Sequence, residues 1–339
     1  MNDVIKTGVL SFGMSGSLFH CPFLNMHPKF NLKAIVERST KKAQVVYPDI
    51  KSYNTVTELL NDDSIELVVI NTPSSTHFDF ALQAIRANKH IIVEKPFTVT
   101  SAEAKTLFKE AKTRNCIIMP FQNRRYDSDF LSVKKVIESG KLGRLIEVHF
   151  RYDRYKYAIS TNITKESPVA GNGLLYNLGP HLLDASIALF GKPESFNIVT
   201  LGNRPETQVD DYAHVHLKYN SGMQVYVTAS LLVANALPAF VLHGTKGSYI
   251  KNRTDVQETQ LQSGLKPDNV LFGVEKPNSE GVLTSVDDKG VVTEEKIASE
   301  KASYINFFEA VYQTLVNKKP FPITEYQIIN QLEILESAF

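Results

Sequence analysis

Cysteine is scarce in this 339-residue chain, which contains only Cys21 and Cys116. The two lie far apart and form no Cys-x-x-Cys pair, so we expect buried thiols in a reducing compartment rather than a disulfide framework. An excess of one charge is also missing, because 37 Lys plus Arg and 36 Asp plus Glu leave a formal net charge of +1. This balance argues against capture of nucleic acid or an anionic membrane by a global field.

Long apolar runs are missing too. The longest apolar segment, LLVANALPAFVL, contains Asn235 and Pro238 and is too short to span a bilayer. The first residues, MNDVIKTGVLSF, pass directly into a strand-like run without the apolar core of a secretory signal. We therefore expect a cytoplasmic protein with no membrane partner.

Patterns of metal-dependent enzymes and serine hydrolases are not found. His214 and His216 share one face of a predicted strand and could bind zinc, but no His-x-x-x-His or cysteine pair supports them. An ordinary strand face is the preferred interpretation, and no metal site is predicted. The G-x-S-x-G pattern of a serine nucleophile does not occur either.

The first part of the chain alternates short β-rich runs with amphipathic helical stretches. The predicted strands are IKTGVLSF, LKAIVE, ELVVIN, HIIVEK and CIIMP, and the helices include STHFDFALQAIRAN and SAEAKTLFKEAKTRN. Nearly continuous apolar strands are typical of a parallel sheet that helices cover on both faces. The pattern therefore predicts a doubly wound α/β domain.

The second part has longer, alternating strands. A helix over DSDFLSVKKVIESG precedes LIEVHFRYD, YAHVHLKYN and MQVYVTASLLV, and Asn220-Ser221-Gly222 is a hairpin signal between the last two. Two helices, YINFFEAVYQTLV and ITEYQIINQLEILESAF, follow; the last runs to Phe339 without a stop signal, which leaves a longer native chain open. We predict domains at 1–121 and 122–339, the second an α/β domain with a large, mostly antiparallel open sheet, and leave open whether the C-terminal helices pack back on the first.

The turn after the first strand reads Ser11-Phe12-Gly13-Met14-Ser15-Gly16. A dinucleotide-binding turn has the pattern G-x-G-x-x-G, so Ser11 replaces the first glycine, while Gly13 and Gly16 still allow pyrophosphate approach and close helix packing. The acid expected about 20 residues later is Glu37. Its carboxylate would bind the adenosine ribose and slightly favours NAD, whereas Arg38 could stack on adenine or pair with the 2′-phosphate of NADP.

Taken together, these and further motifs resemble the glucose–fructose oxidoreductase and inositol dehydrogenase family, known as Gfo/Idh/MocA, along essentially the whole chain. The resemblance rests on GVLSFGMSG, NTPSSTH, VEKPFTVT, QNRRYDSDF and YNLGPHLLD. It implies a Rossmann domain followed by an α/β domain whose open sheet commonly forms an oligomer interface, hence a homodimer or homotetramer. It also implies hydride transfer between nicotinamide and a sugar, inositol or related polyol.

The resemblance assigns side chains to the cofactor. Glu94-Lys95-Pro96 matches the EKP motif, in which Lys95 faces the substrate hydroxyl and the nicotinamide ribose and the Lys-Pro bond is expected to be cis. On sequence physics alone, a charged turn after a buried strand is the simpler interpretation. The cofactor-binding set is Phe12, Gly13, Met14, Ser15, Gly16, Glu37, Arg38, Thr72, Pro73, His77, Glu94, Lys95 and Asn123.

Polar residues further along are assigned to the substrate by the same resemblance. In QNRRYD, Asn123 and Arg124 would lie near cofactor and substrate, whereas Arg125 is interpreted as part of a polar linker. In RYDRYKY, Arg154 and Tyr155 could contact substrate hydroxyls or stack on a sugar ring. A strand with solvent-facing cations is an equal alternative.

The stretch GLLYNLGPHLLD carries the predicted proton chemistry. The family motif has Asp four residues before His, and here that position is Asn177, whose amide cannot act as an acid or base. If a helix begins at Pro180, its dipole would hold His181 as a neutral base. If it begins nearer Leu174, then Asn177, His181 and Asp184 fall on one face.

The sequence thus predicts an NAD(P)-dependent dehydrogenase or reductase that acts on CH-OH groups. His181 takes the hydroxyl proton, Lys95 orients the oxygen and Asn177 positions the substrate. Two alternatives remain, a non-catalytic dinucleotide-binding sensor, which Asn177 would suit, and an NAD-dependent glycosidase. The predicted substrate-binding residues are Lys95, Arg124, Arg154, Tyr155, Asn177 and His181.

Overall fold

A computed structural model of the protein describes residues 4–161 and 166–338. These residues form two compact units. The first consists of the chain through Asn123, with Gln257–Phe272 and Ser303–Ile329. The second consists of Arg124–Val256, Gly273–Ala302 and the segment from Asn330 onward.

A six-stranded parallel sheet forms the centre of the first unit, in the order β3-β2-β1-β4-β5-β6. Its strands are β1 (Ile5–Val9), β2 (Phe30–Val36), β3 (Lys51–Tyr53), β4 (Leu67–Ile70), β5 (His90–Val93) and β6 (Ile118–Pro120). This order is that of the Rossmann fold, so the predicted fold class is confirmed. Only β3, which is three residues long, was not predicted from the sequence.

The helices of this unit begin where local chemistry favours a start. The side chains of Thr55 and Thr100 each accept a hydrogen bond from the backbone N–H three residues on. The carboxylates of Glu58 and Glu103 accept the Thr55 and Thr100 backbone N–H in turn, which completes two capping boxes. The helices are α1 (Cys21–Met26), α2 (Lys42–Val46), α3 (Val56–Leu60), α4 (His77–Arg86) and α5 (Ser101–Thr113). Among the described residues, no helix is both long and apolar enough to cross a membrane.

An aromatic cluster explains why a late segment belongs to the first unit. Helix α9 (Ile305–Leu315) follows α8 (Val256–Gln262) in the chain. Phe308 of α9 stacks on Phe23 of α1 with ring centroids 5.7 Å apart, and Phe307 meets Phe121 edge-on at 4.7 Å. All four rings are almost fully buried. Such pairs contribute stability beyond the burial of their area.

The second unit contains an eight-stranded sheet in the order β14-β13-β12-β11-β7-β10-β9-β8. Only β7 and β10 pair in parallel; the other neighbours are antiparallel, as predicted. Gly222 has φ +84° in the predicted hairpin, a conformation that favours glycine. The strands are β7 (Leu145–Asp153), β8 (Ser195–Leu201), β9 (Tyr212–Lys218), β10 (Gln224–Ser230), β11 (Phe240–Gly244), β12 (Gly247–Lys251), β13 (Gly281–Val286) and β14 (Val292–Ile297).

Helix α7 (Gly173–Phe190) covers one face of this sheet across β7, β9 and β10. Its residues from Leu174 to Ile187 are buried except for Asn177. The unit also contains α6 (Ser128–Glu138) and the C-terminal half of α10 (Glu325–Glu336). Phe339, to which the last helix was expected to run, lies outside the described residues.

The two cysteines are free thiols in the structure. Cys21 is fully buried in α1, and burial, with the nearby Glu37 charge, raises the pKa of its thiol. Cys116 is only partly buried, which corrects the expectation that both thiols are enclosed. Burial raises the pKa of the Cys116 thiol as well. Neither thiol has the lowered pKa that marks a reactive cysteine.

Candidate active site

The glycine-rich turn keeps its shape although Ser11 replaces the first glycine. The Gly13 N–H donates to Ser11 Oγ at 3.2 Å, so the serine side chain stabilises the turn. A Cβ atom on Gly16 would lie 2.0 Å from the Ser11 carbonyl oxygen and 2.9 Å from Asn71 Nδ2. Because Asn71 Nδ2 also donates to that carbonyl at 2.8 Å, no other residue fits at position 16.

A cleft of about 650 Å³ opens beside this turn in the first unit. Its walls include Phe12, Glu37, Arg38, Thr72 and Pro73, all of which were predicted to bind the cofactor. Thr76 and Lys42 also line it. A cleft of this size suits a nucleotide, since ligand pockets commonly span ~300–1,000 Å³.

The carboxylate of Glu37 points into the protein. Its Oε1 accepts the Ala43 N–H at 3.0 Å and its Oε2 accepts the Ser52 hydroxyl at 3.4 Å, and the residue is only 8% exposed. Arg38, Ser39 and Thr40, which follow it, are exposed and line the cleft. The residues that follow Glu37 therefore offer a ligand one guanidinium and two hydroxyls, and the exposed Lys42 adds an ammonium to the lining of the same cleft.

The segment after β5 is tied to the loop after β4 by His77. One ring nitrogen of His77 lies 2.8 Å from the Pro96 carbonyl oxygen and the other lies 2.9 Å from the Thr72 carbonyl oxygen. The ring is almost fully buried, and this burial lowers the His77 pKa although both carbonyls oppose it. His77 thus connects two loops of the predicted cofactor site. The Lys95–Pro96 peptide bond in the second of these loops is cis, as expected.

Glu94 receives three hydrogen bonds at the end of β5. The hydroxyl of Ser15 donates to Oε1 at 2.5 Å, the Lys95 N–H donates to Oε2 at 3.1 Å, and His20 Nε2 lies 3.0 Å from Oε1. Burial acts to raise the pKa of the Glu94 carboxyl, but His20, Ser15 and the charge of Lys95 outweigh it and lower the pKa to about 2. Glu94 is therefore ionised near neutral pH.

The remaining predicted cofactor residues lie at the edges of the first unit. Met14 is 64% exposed at the tip of the glycine-rich turn. Asn123 is buried at the start of a short 3₁₀ turn, Asn123–Tyr126, where the first unit ends.

In the second unit, α7 begins at Gly173, which decides between the two starts considered for this stretch. Asn177, His181 and Asp184 therefore lie at i, i+4 and i+7 on one helix face, and Pro180 is inside the helix. The Pro180 carbonyl oxygen accepts a hydrogen bond from Gln331 Nε2 at 2.8 Å. The explanation based on a first-turn dipole at His181 is wrong, because His181 is eight residues into the helix.

Both carboxylate oxygens of Asp184 are bound by one arginine. Arg125 Nε and Nη2 donate to its two carboxylate oxygens at 2.7 Å each, a bidentate pair in which both side chains are largely buried. Arg125 is therefore not part of a solvated linker, which corrects that interpretation. Of the three polar residues on this face, Asn177 is exposed and His181 is 9% exposed.

Three arginines surround the ring of Tyr152. The guanidinium carbons of Arg124, Arg154 and Arg253 lie 5.6, 4.7 and 4.1 Å from its centroid. Arg124 also binds Asp127 and Asp255, at 3.1 and 2.6 Å, while Arg154 donates to the Tyr152 hydroxyl at 2.9 Å. Tyr155 is 61% exposed.

A small cavity of about 20 Å³, room for one water molecule, is lined by Arg124, Arg253, Asp184 and His181. Within the second unit, this cavity brings His181 and Arg124, two of the predicted substrate residues, to one place. It does not include Arg154 or Tyr155 in its lining.

His214 and His216 lie on the sheet face opposite α7. His214 Nδ1 is 3.0 Å from the Thr228 hydroxyl, and His216 Nε2 is 2.7 Å from Gln224 Oε1. The described residues contain no group of three or more His, Cys, Asp or Glu that could hold a metal ion.

Sequence reasoning missed Asn71, His20 and the partners of Glu94. Asn71 was quoted within NTPSSTH but had no role, and its distance from Ser11 along the chain is 60 residues. His20 follows the glycine-rich turn by four residues, a position from which a helical side chain returns toward that turn. This four-residue spacing is the signal in the sequence that could have identified His20.

Two family models match the chain. Residues 5–122 match an oxidoreductase family with an NAD-binding Rossmann fold, and residues 130–250 match the GFO/IDH/MocA C-terminal domain. Together they cover the six-stranded sheet of the first unit and, in the second unit, β7 to β11 and all but the last residue of β12.

Relatives match nearly the full chain. A Schizosaccharomyces pombe protein named uncharacterized oxidoreductase C115.03 is 36% identical, over 99% of this chain and 96% of its own length. The Bacillus subtilis protein named scyllo-inositol 2-dehydrogenase (NADP(+)) IolW is 32% identical, over 99% of this chain and 93% of its own length.

Solved structures agree with these matches. The putative oxidoreductase yvaA from Bacillus subtilis has a TM-score of 0.95 at 31% identity, covering all of this chain and 96% of that one. The probable oxidoreductase yhhX has a TM-score of 0.92 at 36% identity, covering 99% and 96%. With its Rossmann unit, its glycine-rich turn and its open-sheet unit, the chain belongs to the Gfo/Idh/MocA family of NAD(P)-dependent oxidoreductases.

Proposed function

We propose that this enzyme is a dehydrogenase or reductase of a sugar, inositol or related polyol. The observation that carries the proposal is the polar face of α7, which places His181 between Asn177 and Asp184. Arg125 binds the Asp184 carboxylate, and an imidazole such as His181 is a side chain that can exchange a proton near neutral pH. The relative named scyllo-inositol 2-dehydrogenase supports a polyol.

The proposed roles follow from the chemistry of each side chain. His181 takes the proton of the substrate hydroxyl, and we assign this to Nε2 because Nδ1 is buried. Asn177, exposed one helical turn earlier, orients the same or a neighbouring hydroxyl. Lys95 positions and polarises the reacting oxygen, and Arg124, Arg154 and Tyr155 bind further hydroxyls.

The first unit fits a dinucleotide. Gly16 leaves no room for a side chain beside the turn, and the cleft next to that turn has the size of a nucleotide site. When bound, nicotinamide supplies the hydride acceptor or donor. The predicted residues of the turn, with Thr72 and Pro73, would hold the dinucleotide. The buried residues Glu94, His77 and Asn123 would hold the surrounding backbone in place.

We further propose that the enzyme prefers NADP, although Glu37 alone slightly favoured NAD. A carboxylate that already accepts two hydrogen bonds from the protein is poorly placed to bind a ribose diol. Arg38, Ser39 and Thr40 offer a 2′-phosphate a cation and two hydroxyl donors. The Bacillus subtilis relative is named as an NADP(+) enzyme, which is consistent with this preference.

A homodimer or homotetramer through the second unit's sheet is also proposed. The face opposite α7 presents Tyr226 with His149 and His216 stacked on either neighbouring strand, at 5.0 and 4.7 Å between ring centroids. These rings are half-buried in one chain, and a second chain would cover them.

The function is tested by a screen of sugars, inositols and other polyols, with NAD and NADP in separate arms. The absorbance of reduced nicotinamide reports turnover in each arm. We expect turnover of at least one polyol. Dinucleotide binding without turnover of any substrate would indicate a sensor. Cleavage of an aryl glycoside without accumulation of reduced nicotinamide would indicate a glycosidase, and either result would overturn the proposal.

A further inference from the structure

His20 is a buried histidine whose ring makes one hydrogen bond among the described residues. Its side chain is 0% exposed, its ring lies 4.2 Å from that of Phe121, and it meets the ring of Phe308 edge-on at 6.3 Å. Within the part of the chain that the structure describes, Nδ1 has no hydrogen-bond partner, while Nε2 lies 3.0 Å from Glu94 Oε1. Because an ionised carboxylate can only accept, Nε2 carries the proton.

Burying an imidazole in an aromatic pocket is energetically unfavourable. A buried polar group is tolerated when its hydrogen bond is made, and a phenylalanine or leucine would fill the same pocket without leaving Nδ1 unpaired. The contact with Glu94 is therefore the physical reason for a histidine at this position.

The carboxylate that His20 binds joins two segments of the cofactor unit. Glu94 accepts the Ser15 hydroxyl, which belongs to the glycine-rich turn, and the Lys95 backbone N–H at the end of β5. Ser15 and Glu94 are 79 residues apart in the chain, so no local structure holds them together. His20 is the donor that approaches this carboxylate from the buried side.

We propose that His20 is a positioning residue, which through Glu94 keeps the backbone at Lys95 in one arrangement with the glycine-rich turn. This inference rests on the proposed function for the role of Lys95 in turnover. The proposed arrangement of the backbone does not depend on that function. Loss of the Nε2 donor would let the Glu94 carboxylate turn away and release the Lys95 amide.

Three substitutions separate this role from simple packing. The amide nitrogen of His20→Gln can reach the place of Nε2, that of His20→Asn lies near the place of Nδ1, and His20→Leu has no donor. We expect kcat with the best polyol to fall about 10- to 100-fold in the Asn and Leu variants, because small displacements of a catalytic group have effects of this size. We expect the Gln variant to stay within about threefold of wild type, and KM for the polyol to change less than about threefold in all of them.

Hydrogen–deuterium exchange of the Lys95 amide supplies a measurement without substrate. Exchange should become faster in His20→Leu and His20→Asn and remain near wild type in His20→Gln. In a Glu94→Gln background, His20→Leu should add little to either effect, since the two residues act through one contact. If His20→Leu fails to fold, the comparison of Gln with Asn carries the test.

Equal kcat and equal Lys95 exchange in the Gln and Asn variants would overturn the inference and leave His20 with a packing role. A wild-type protein that turns over no polyol, while Lys95 exchange responds as expected, would overturn the proposed function and not the positioning of Lys95. The two failures are therefore distinguishable.

Discussion

Asn177 and His181 lie one turn apart on α7 and differ in the property that proton transfer requires. An amide does not titrate near neutral pH, whereas imidazole does. His181→Ala should therefore lower kcat about 100- to 10,000-fold, and Asn177→Ala only about 10- to 100-fold. Steady-state kinetics on the best polyol measure both, with the exposed Asn61→Ala as the amide control.

The variant Asn177→Asp adds a pH test to the same prediction. A carboxylate one turn from His181 favours imidazolium, so the acidic limb of the pH–rate profile should move to higher pH. An unmoved limb, together with near-native activity of His181→Ala, would show that this stretch is only structural.

Arg38 is the residue on which the proposed NADP preference depends. A guanidinium–phosphate contact contributes roughly 1.5–3 kcal/mol, so Arg38→Ala should weaken NADP binding about 10- to 100-fold and leave NAD binding nearly unchanged. Calorimetric titration with both dinucleotides measures this difference. Arg86→Ala, which removes a surface arginine of α4 paired with Glu110, should change neither affinity. Parallel loss of both dinucleotides in Arg38→Ala would point to adenine stacking instead.

Glu94 should also contribute to stability in a pH-dependent way. Its carboxyl pKa is about 2 in the folded protein and about 4.5 in an unfolded chain, so its contribution is complete above about pH 4.5 and is lost as the pH falls toward 2. The shift corresponds to about 3 kcal/mol as an order of magnitude. Urea unfolding of wild type and Glu94→Gln should thus differ most at neutral pH and least near pH 2. The exposed Glu138→Gln should show a small difference at every pH.

At the scale of elements, α7 is held by two side-chain contacts from outside the helix. Proline inside a helix removes the backbone hydrogen bond to the carbonyl oxygen four residues earlier. Gln331 Nε2 binds a different acceptor, the Pro180 carbonyl oxygen, and so anchors α7 at the proline. The buried Arg125–Asp184 pair binds the same helix to the 3₁₀ turn before α6. These two contacts set the place of His181 within the second unit.

The Arg125–Asp184 pair predicts a strongly non-additive mutant cycle. Arg125→Met or Asp184→Leu alone should lower the free energy of unfolding by about 3–5 kcal/mol, because each leaves a buried charge without its partner. The double variant should lose much less than the sum. Urea denaturation measures all three, and the exposed Lys134–Glu138 pair, 3.8 Å apart, is the matched control with an expected coupling of ~0–1 kcal/mol. Additive losses at the buried pair would contradict this account.

At the scale of the whole molecule, the proposed oligomer predicts a change of mass on one substitution. Tyr226→Asp would place a carboxylate at the centre of the stacked His149–Tyr226–His216 rings, and burying that charge against a second chain is costly. We expect light scattering after gel filtration to report a smaller species than wild type. Tyr326→Asp, at a residue 59% exposed on α10, should keep the wild-type mass. An unchanged mass in Tyr226→Asp would exclude this face.

The sequence by itself determined the features that arise from neighbouring residues. Apolar runs identified β1 and β2, amphipathic stretches identified helices such as α4 and α5, and Asn220-Ser221-Gly222 identified the hairpin, because side-chain spacing and turn preference are local properties. The glycine-rich turn was readable for the same reason. The three-residue β3 was not, because it is too short to show a period. The start of α7 was left open by the sequence.

Only the tertiary structure decided the arrangements that join distant parts of the chain. It turned Glu37 inward to Ala43 and Ser52, and it paired Arg125 with Asp184 across 59 residues and Ser15 with Glu94 across 79. It also placed α9 in the first unit through its aromatic contacts. A buried polar group must find a partner wherever the fold brings one, so its identity depends on packing and not on its sequence neighbours.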